Sequence, residues 1–107
     1  MSRNRTEGIT EEEQKAWNEL LEQICAITDI DELNAFFDDM LTEKEIIDIA
    51  DRYLLMEDLI KGKSQRDIAL DRKMSLCKIT RGSKMLKKQD GYMRRYLNEK
   101  YDDHTHL

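Results

Sequence analysis

The sequence predicts an all-α fold, and three observations carry that expectation. Its 107 residues include no proline and only four glycines, so few positions are set for tight hairpin turns. Charged residues make up 38% and apolar residues 39%, and the apolar ones recur at three- and four-residue spacing instead of alternating. Thr10, Thr42, Ser64 and Ser75 each stand at the head of such a segment, where a hydroxyl can accept an amide hydrogen that the first helical turn leaves unpaired. A single domain over residues 1–107 with about six helices is the expected architecture. At this size folding buries about 65% of the unfolded chain's surface, so a core shared between two copies would add stability.

Thr10 with Glu13 has the spacing of a capping box and opens the first helix. Ala16, Trp17, Leu20, Leu21, Ile24 and Cys25 then form one apolar stripe on an otherwise charged rod. "TDIDELNAFFDDML" suggests a second, shorter helix with Leu33, Phe36, Phe37 and Met40 as its stripe, and the two phenylalanines read as core. Thr42 with Glu45 repeats the capping spacing and opens the central helix, whose set Ile46, Ile49, Ala50, Tyr53, Met56 and Ile60 is strongly helical. Ile47, Leu54, Leu55 and Leu59 extend the apolar surface around much of that helix, so it should be covered on two sides, and Gly62 should stop it. A chain this short cannot supply all of that cover. Residues 10–62 therefore read as mainly a dimerisation core, with the amphipathic helix of residues 10–27 covering a second copy.

Two short helices follow within residues 64–88. Ser64 and Asp67 begin "QRDIALDR", Lys73 and Met74 make a turn, and Ser75 caps "LCKITRGSKMLKK". A turn of this kind often requires positive φ at the position of Lys73, where glycine is common, so a lysine there implies mild strain or another turn geometry. Asp90 is expected to cap a last helix over residues 90–101, with Met93, Tyr96 and Leu97 inward.

Charge divides the chain. Residues 1–60 hold five Lys/Arg against seventeen Asp/Glu, a net of −12. Residues 61–100 hold thirteen against four, a net of +9, although the whole chain is at −5. Phosphate binding depends on the local charge that displaces counterions, so the second half fits a nucleic-acid partner despite the acidic total.

Two helices joined by a turn of three or four residues match a helix-turn-helix. Ala69 is small enough to let the helices cross closely, while Ile68, Leu76 or Ile79, and Leu86 fill the angle between them. The second helix can enter a major groove with Ser75 at its entry and Leu76, Cys77, Lys78, Thr80, Arg81 and Lys84 outward or flanking. Thr80 can hydrogen-bond a base or phosphate and offer its methyl to thymine, Lys84 and Lys87 can reach phosphates, and Gln65 and Arg66 can hold the backbone from the first helix.

"MLTEKEIIDIADRYLLMEDLIKGKSQRDI" followed by "KITRGSKMLK" resembles the tryptophan repressor family, densely from Met40 to Lys87 and more loosely over the flanking helices. The resemblance implies an interlocked homodimer that presents two reading helices to successive major grooves of a near-palindromic double-stranded DNA operator. It further implies L-tryptophan as corepressor, its ring held between two arginines that match Arg52 and Arg81. Leu41 and Thr42 match further ligand contacts, and Gly82 matches a residue that leaves room for the ligand. Met85 stands in place of a serine that helps bind the ligand's amino group, and a thioether donates no hydrogen bond. Asp39 replaces an apolar residue at the pocket's edge. A relative that is ligand-independent, or senses another small molecule, is the alternative. On the residues alone, Arg52 could instead pair with Asp48 along its helix, and Arg81 could contact a phosphate.

Other classes are disfavoured. No nucleophile has a paired histidine, so no enzyme and no cofactor are expected. His104 and His106 sit in a tail expected to fray, not in a metal site. Cys25 and Cys77 lie far apart and read as reduced thiols. No apolar run is long enough to span a membrane and the start lacks a signal peptide's apolar stretch, so a cytoplasmic protein is expected.

Overall fold

A computed structural model describes residues 8–102, and among them every regular element is an α-helix. There are six: α1 (Glu11–Ala26), α2 (Ile30–Met40), α3 (Glu43–Ile60), α4 (Gln65–Arg72), α5 (Leu76–Leu86) and α6 (Tyr92–Asp102). The expected tail around His104 and His106 lies outside the described residues. No helix among the described residues is long and apolar enough to cross a membrane. The chain divides into two compact units, the first ending at Thr42 and the second starting at Glu43.

In the first unit, α1 starts on the expected capping box. The Glu13 amide donates to the Thr10 hydroxyl at 3.1 Å, and the Thr10 amide donates to the Glu13 carboxylate at 3.0 Å. Asp29 caps α2 by accepting from the Glu32 amide. Acidic residues fill the first turn of both helices, which suits the positive end of the helix dipole. Neither helix buries a residue within the chain. Trp17 is 53% exposed, and Phe36 and Phe37, expected as core, are half-buried and meet edge to face with centroids 5.2 Å apart. Cys25 is a free, exposed thiol.

The second unit is built around the C-terminal half of α3. Leu55 on α3, Ile68 on α4 and Ile79 on α5 form one buried cluster, bordered by Leu59, Ala69 and Met74. Met56, Leu86 and Leu97 form another, bordered by Tyr53, Ile60, Met93 and Tyr101, and this one seats α6. Ile79, not Leu76, fills the angle between α4 and α5, since Leu76 is 66% exposed. Toward the start of α3 the apolar surface stays open, with Ile47 and Ile49 about half exposed.

The connections obey backbone rules. Gly62, at φ 94°, ends α3 as expected, and its amide donates to Leu59 O while the Lys63 amide donates to Asp58 O. Ser64 caps α4 by accepting from the Asp67 amide, and Ser75 caps α5 by accepting from the Lys78 amide. Lys73 adopts φ 55° and ψ 39°, so the left-handed turn that the sequence made doubtful for a lysine is present. Two expectations for α6 are corrected. Tyr96, expected inward, is 44% exposed. Asp90 does not cap α6; it is itself left-handed at φ 58°, and the first intrahelical carbonyl belongs to Gly91, which accepts from the Arg95 amide.

Candidate nucleic-acid interface and ligand cleft

Three residues, Lys73 to Ser75, join α4 to α5, and the left-handed Lys73 turns the chain so that Ile68 and Ile79 meet over Leu55. Burial of that inner face fixes which side of α5 looks outward. Leu76, Cys77, Thr80, Arg81 and Lys84 share the exposed side, and together they line one open surface. These five are all residues singled out in the sequence. Lys87 is the C-cap of α5 and is exposed, as is Arg66 on α4. Ser75 uses its hydroxyl oxygen for the cap, which leaves its O–H able to donate. Gln65 does not point free, because its side-chain amide donates to the Ser83 hydroxyl at 3.3 Å and so ties the start of α4 to the last turns of α5.

A small cleft lies between α3 and α5, lined by Asp48, Asp51, Arg52, Met74, Lys78 and Arg81. Arg52 and Arg81 are thus brought together, and Arg81 belongs both to this cleft and to the outward surface of α5. The cleft holds about 50 Å³, against the roughly 150 Å³ of an engineered apolar cavity that takes up benzene. Lys78 crosses it: the ammonium lies 3.0 Å from Asp48 Oδ1 and 3.9 Å from Asp51 Oδ2. The hydrogen bond from Lys78 holds the Asp48 carboxyl below its ordinary value, against a smaller opposing effect of burial. Asp48 therefore takes Lys78, and not Arg52, as its hydrogen-bonded cation.

Gly82 is buried, and a methyl group added there would run into the Leu55 side chain, with the Arg52 stem next nearest. Its missing side chain lets α5 lie close on α3. Met85 is 38% exposed and does not line the cleft. Leu41, the C-cap of α2, and Thr42 belong to the first unit, and Asp39 is exposed on α2.

Two further ion pairs fix the frame. The Arg72 guanidinium reaches back from α4 to Asp58 on α3, with Nε 2.6 Å from Oδ2 and Nη2 3.2 Å from Oδ1. This pair holds the nearly buried Asp58 carboxyl below its ordinary value. Lys100 on α6 binds Glu57 at 3.0 Å, and the Tyr101 hydroxyl donates to the same carboxylate.

Sequence reasoning missed Asp48, Asp51 and Met74 as cleft residues. The signal was present in part, because Asp48, Asp51 and Arg52 fall on one side of a helix at spacings of three and four. Lys78 gave none, since a lysine outward on one helix is read as solvent-facing.

A family model described as "Trp repressor protein" matches residues 15–101. Proteins named Trp operon repressor homolog, from Xylella fastidiosa strains M23, Temecula1 / ATCC 700964 and 9a5c, are each 30% identical to this chain over 88 residues. Those alignments cover 81% of this chain and 94% of each relative. No solved structure matches.

Proposed function

The chain belongs to the Trp repressor family, whose members are DNA-binding repressors and not enzymes, and from that premise we propose a sequence-specific homodimeric repressor with an amino-acid corepressor, L-tryptophan or a close analogue. The observation that carries the reading is the double placement of Arg81, which lines the cleft beside Arg52 and also the exposed side of α5. A ligand gripped there is felt directly at the surface that meets DNA.

In this reading α4 and α5 form the helix-turn-helix of a repressor, and α5 enters the major groove as in helix-turn-helix proteins generally, Trp repressors among them. Thr80 and the exposed Leu76 face base edges, where a methyl group suits thymine. Lys84, Lys87 and Arg66 contact phosphates, and the O–H of Ser75 adds a neutral donor. The open apolar faces of α1 and α3, with Trp17, Leu21, Ile47 and Ile49 exposed, support a second copy as their cover. The guanidinium planes of Arg52 and Arg81 suit an aromatic amino acid, one stacking on the ring and the other also able to pair with the carboxylate. The ligand promotes DNA binding only through higher affinity for the DNA-competent angle of α5.

A second reading, a repressor that needs no ligand, is favoured by the Lys78–Asp48 ion pair across a cleft of about 50 Å³. Here an internal ammonium holds α5 against α3. One titration separates the two: L-tryptophan is added at rising concentration to protein and a duplex selected from a random-sequence library. The first reading expects affinity to climb with ligand in the natural chain and to lose that dependence in Arg52→Ala. Ligand-blind binding up to millimolar tryptophan leaves the second.

A further inference from the structure

Between residues 61 and 100 stand thirteen lysines and arginines. Five are engaged inside the fold: Lys63 with Asp71, Arg72 with Asp58, Lys78 with Asp48, Lys100 with Glu57, and Lys61 over the ring of Tyr101. Arg94 and Arg95 are not among these. Both are exposed near the start of α6, where they line an open groove with Lys87, Gln89, Asp90 and Asn98.

We propose that this groove at the α5–α6 corner is a second phosphate-binding surface, which seats the DNA backbone flanking the half-site read by α5. The inference rests on the reading of α5 as the DNA-entering helix. Three cations face one carboxylate in the groove, so its charge is complementary to a polyanion. Gln89 and Asn98 add side-chain amides that donate to phosphate oxygens, and each guanidinium offers a fork matched to two of them. Position favours the same occupant. From Thr80 to Lys87 the helix rises about 10 Å, and the major groove is about 12 Å wide. A helix that reads base edges with its first turns therefore delivers its last turn to the rim of that groove, where phosphates run. Lys87 belongs to both surfaces and makes them continuous.

The groove is also held still. Met93, Leu97 and Tyr101, on the opposite side of α6, pack with Met56 and Leu86, so the arginines stand on an anchored helix. Less ordering is then required when they meet a phosphate than in a loose tail.

The test uses the full chain and a duplex that the natural protein selects from a random-sequence library, titrated from about 50 to about 200 mM salt. Arg94→Gln/Arg95→Gln removes two arginines from each of the two copies, and should flatten the log–log salt slope by about 4, close to one released counterion per arginine, and should weaken binding about tenfold or more at the low end. Arg94→Lys/Arg95→Lys should keep most of the slope, because the charge is kept. Preference for the selected duplex over random DNA should not change, since phosphate contacts carry no sequence information. A double glutamine variant that is as helical as the natural chain and retains the full slope overturns the proposal. So does one whose oligomeric state changes at an unaltered slope, which assigns the groove to another copy of the chain. Natural protein whose binding to DNA shows no salt dependence overturns the reading of α5 along with it.

Discussion

The Lys78 ammonium lies 3.0 Å from Asp48 Oδ1, which moors the first turn of α5 to α3 by charge. The same lysine lies on the helix that meets DNA, so phosphates and Asp48 compete for it. Asp48→Asn removes the stronger internal partner. Its salt slope for DNA binding should be steeper than that of the natural chain by about 2, as one more cation in each copy becomes available to displace a counterion. An unchanged slope would place Lys78 outside the DNA contact set.

Asp58 and Arg72 should respond unequally to replacement. Arg72→Met leaves a carboxylate in a nearly buried site without its partner and should cost about 2–4 kcal/mol in urea unfolding at neutral pH. Asp58→Asn leaves a guanidinium that is about one-third exposed to water, and should cost less, about 1–2 kcal/mol. The Asp58 carboxyl sits below its ordinary value of 3.8, chiefly because Arg72 hydrogen-bonds the charged form. Its contribution is therefore complete above that value and fades as pH falls through the lowered one. The stability gap between the natural chain and Arg72→Met should accordingly narrow as pH falls through the lowered value, because the variant has no such contribution to lose.

Gly82→Ala gains about 1 kcal/mol of helix propensity but forces a methyl into the fully buried Leu55, and overpacking of that kind costs about 1–3 kcal/mol. A net loss is expected. Combining it with Leu55→Ala should give a double variant more stable than the sum of the two single losses, because the smaller side chain leaves the space that the methyl needs.

Lys73→Gly should raise stability by about 0.5–1 kcal/mol. A left-handed conformation costs a residue with a Cβ roughly 1–2 kcal/mol, and the added freedom of glycine in the unfolded chain takes back part of that gain. A thermal melt reads the difference. A glycine variant that melts lower than the natural chain would mean that the lysine side chain makes a compensating contact.

Readers and holders in α5 should separate by experiment. Thr80→Ala should change which duplexes are selected while leaving the salt slope intact. Lys84→Ala and Lys87→Ala should each flatten the slope by about 2, one contact from each copy, with little change in preference.

Much of the fold was legible because caps and stops are local. Thr10, Ser64 and Ser75 each accept the amide expected of them, and Gly62 ends α3 with positive φ. Asp90 shows the limit of such signals: a short carboxylate side chain suits both an N-cap and a left-handed turn, and only the helix geometry decides between them. The outward face of α5 was legible from the spacing of Ile79 and Leu86. Lys78 was not, because its flexible stem carries the charge to a carboxylate on another helix, a contact that no local pattern encodes. The close approach of Gly82 to Leu55 was not legible either, because the two residues are remote in sequence and lie on different helices.

The chain's one tryptophan is Trp17, and more than half of its surface is open. Indole emission shifts to shorter wavelength when water leaves the ring, so whatever settles on α1 changes the colour of the protein's fluorescence. Neither α4 nor α5 contains a tryptophan or tyrosine to confuse the signal when DNA is added. Dilution alone, followed at one excitation wavelength, thus becomes an assay for the covering of that helix, with any added corepressor kept non-fluorescent.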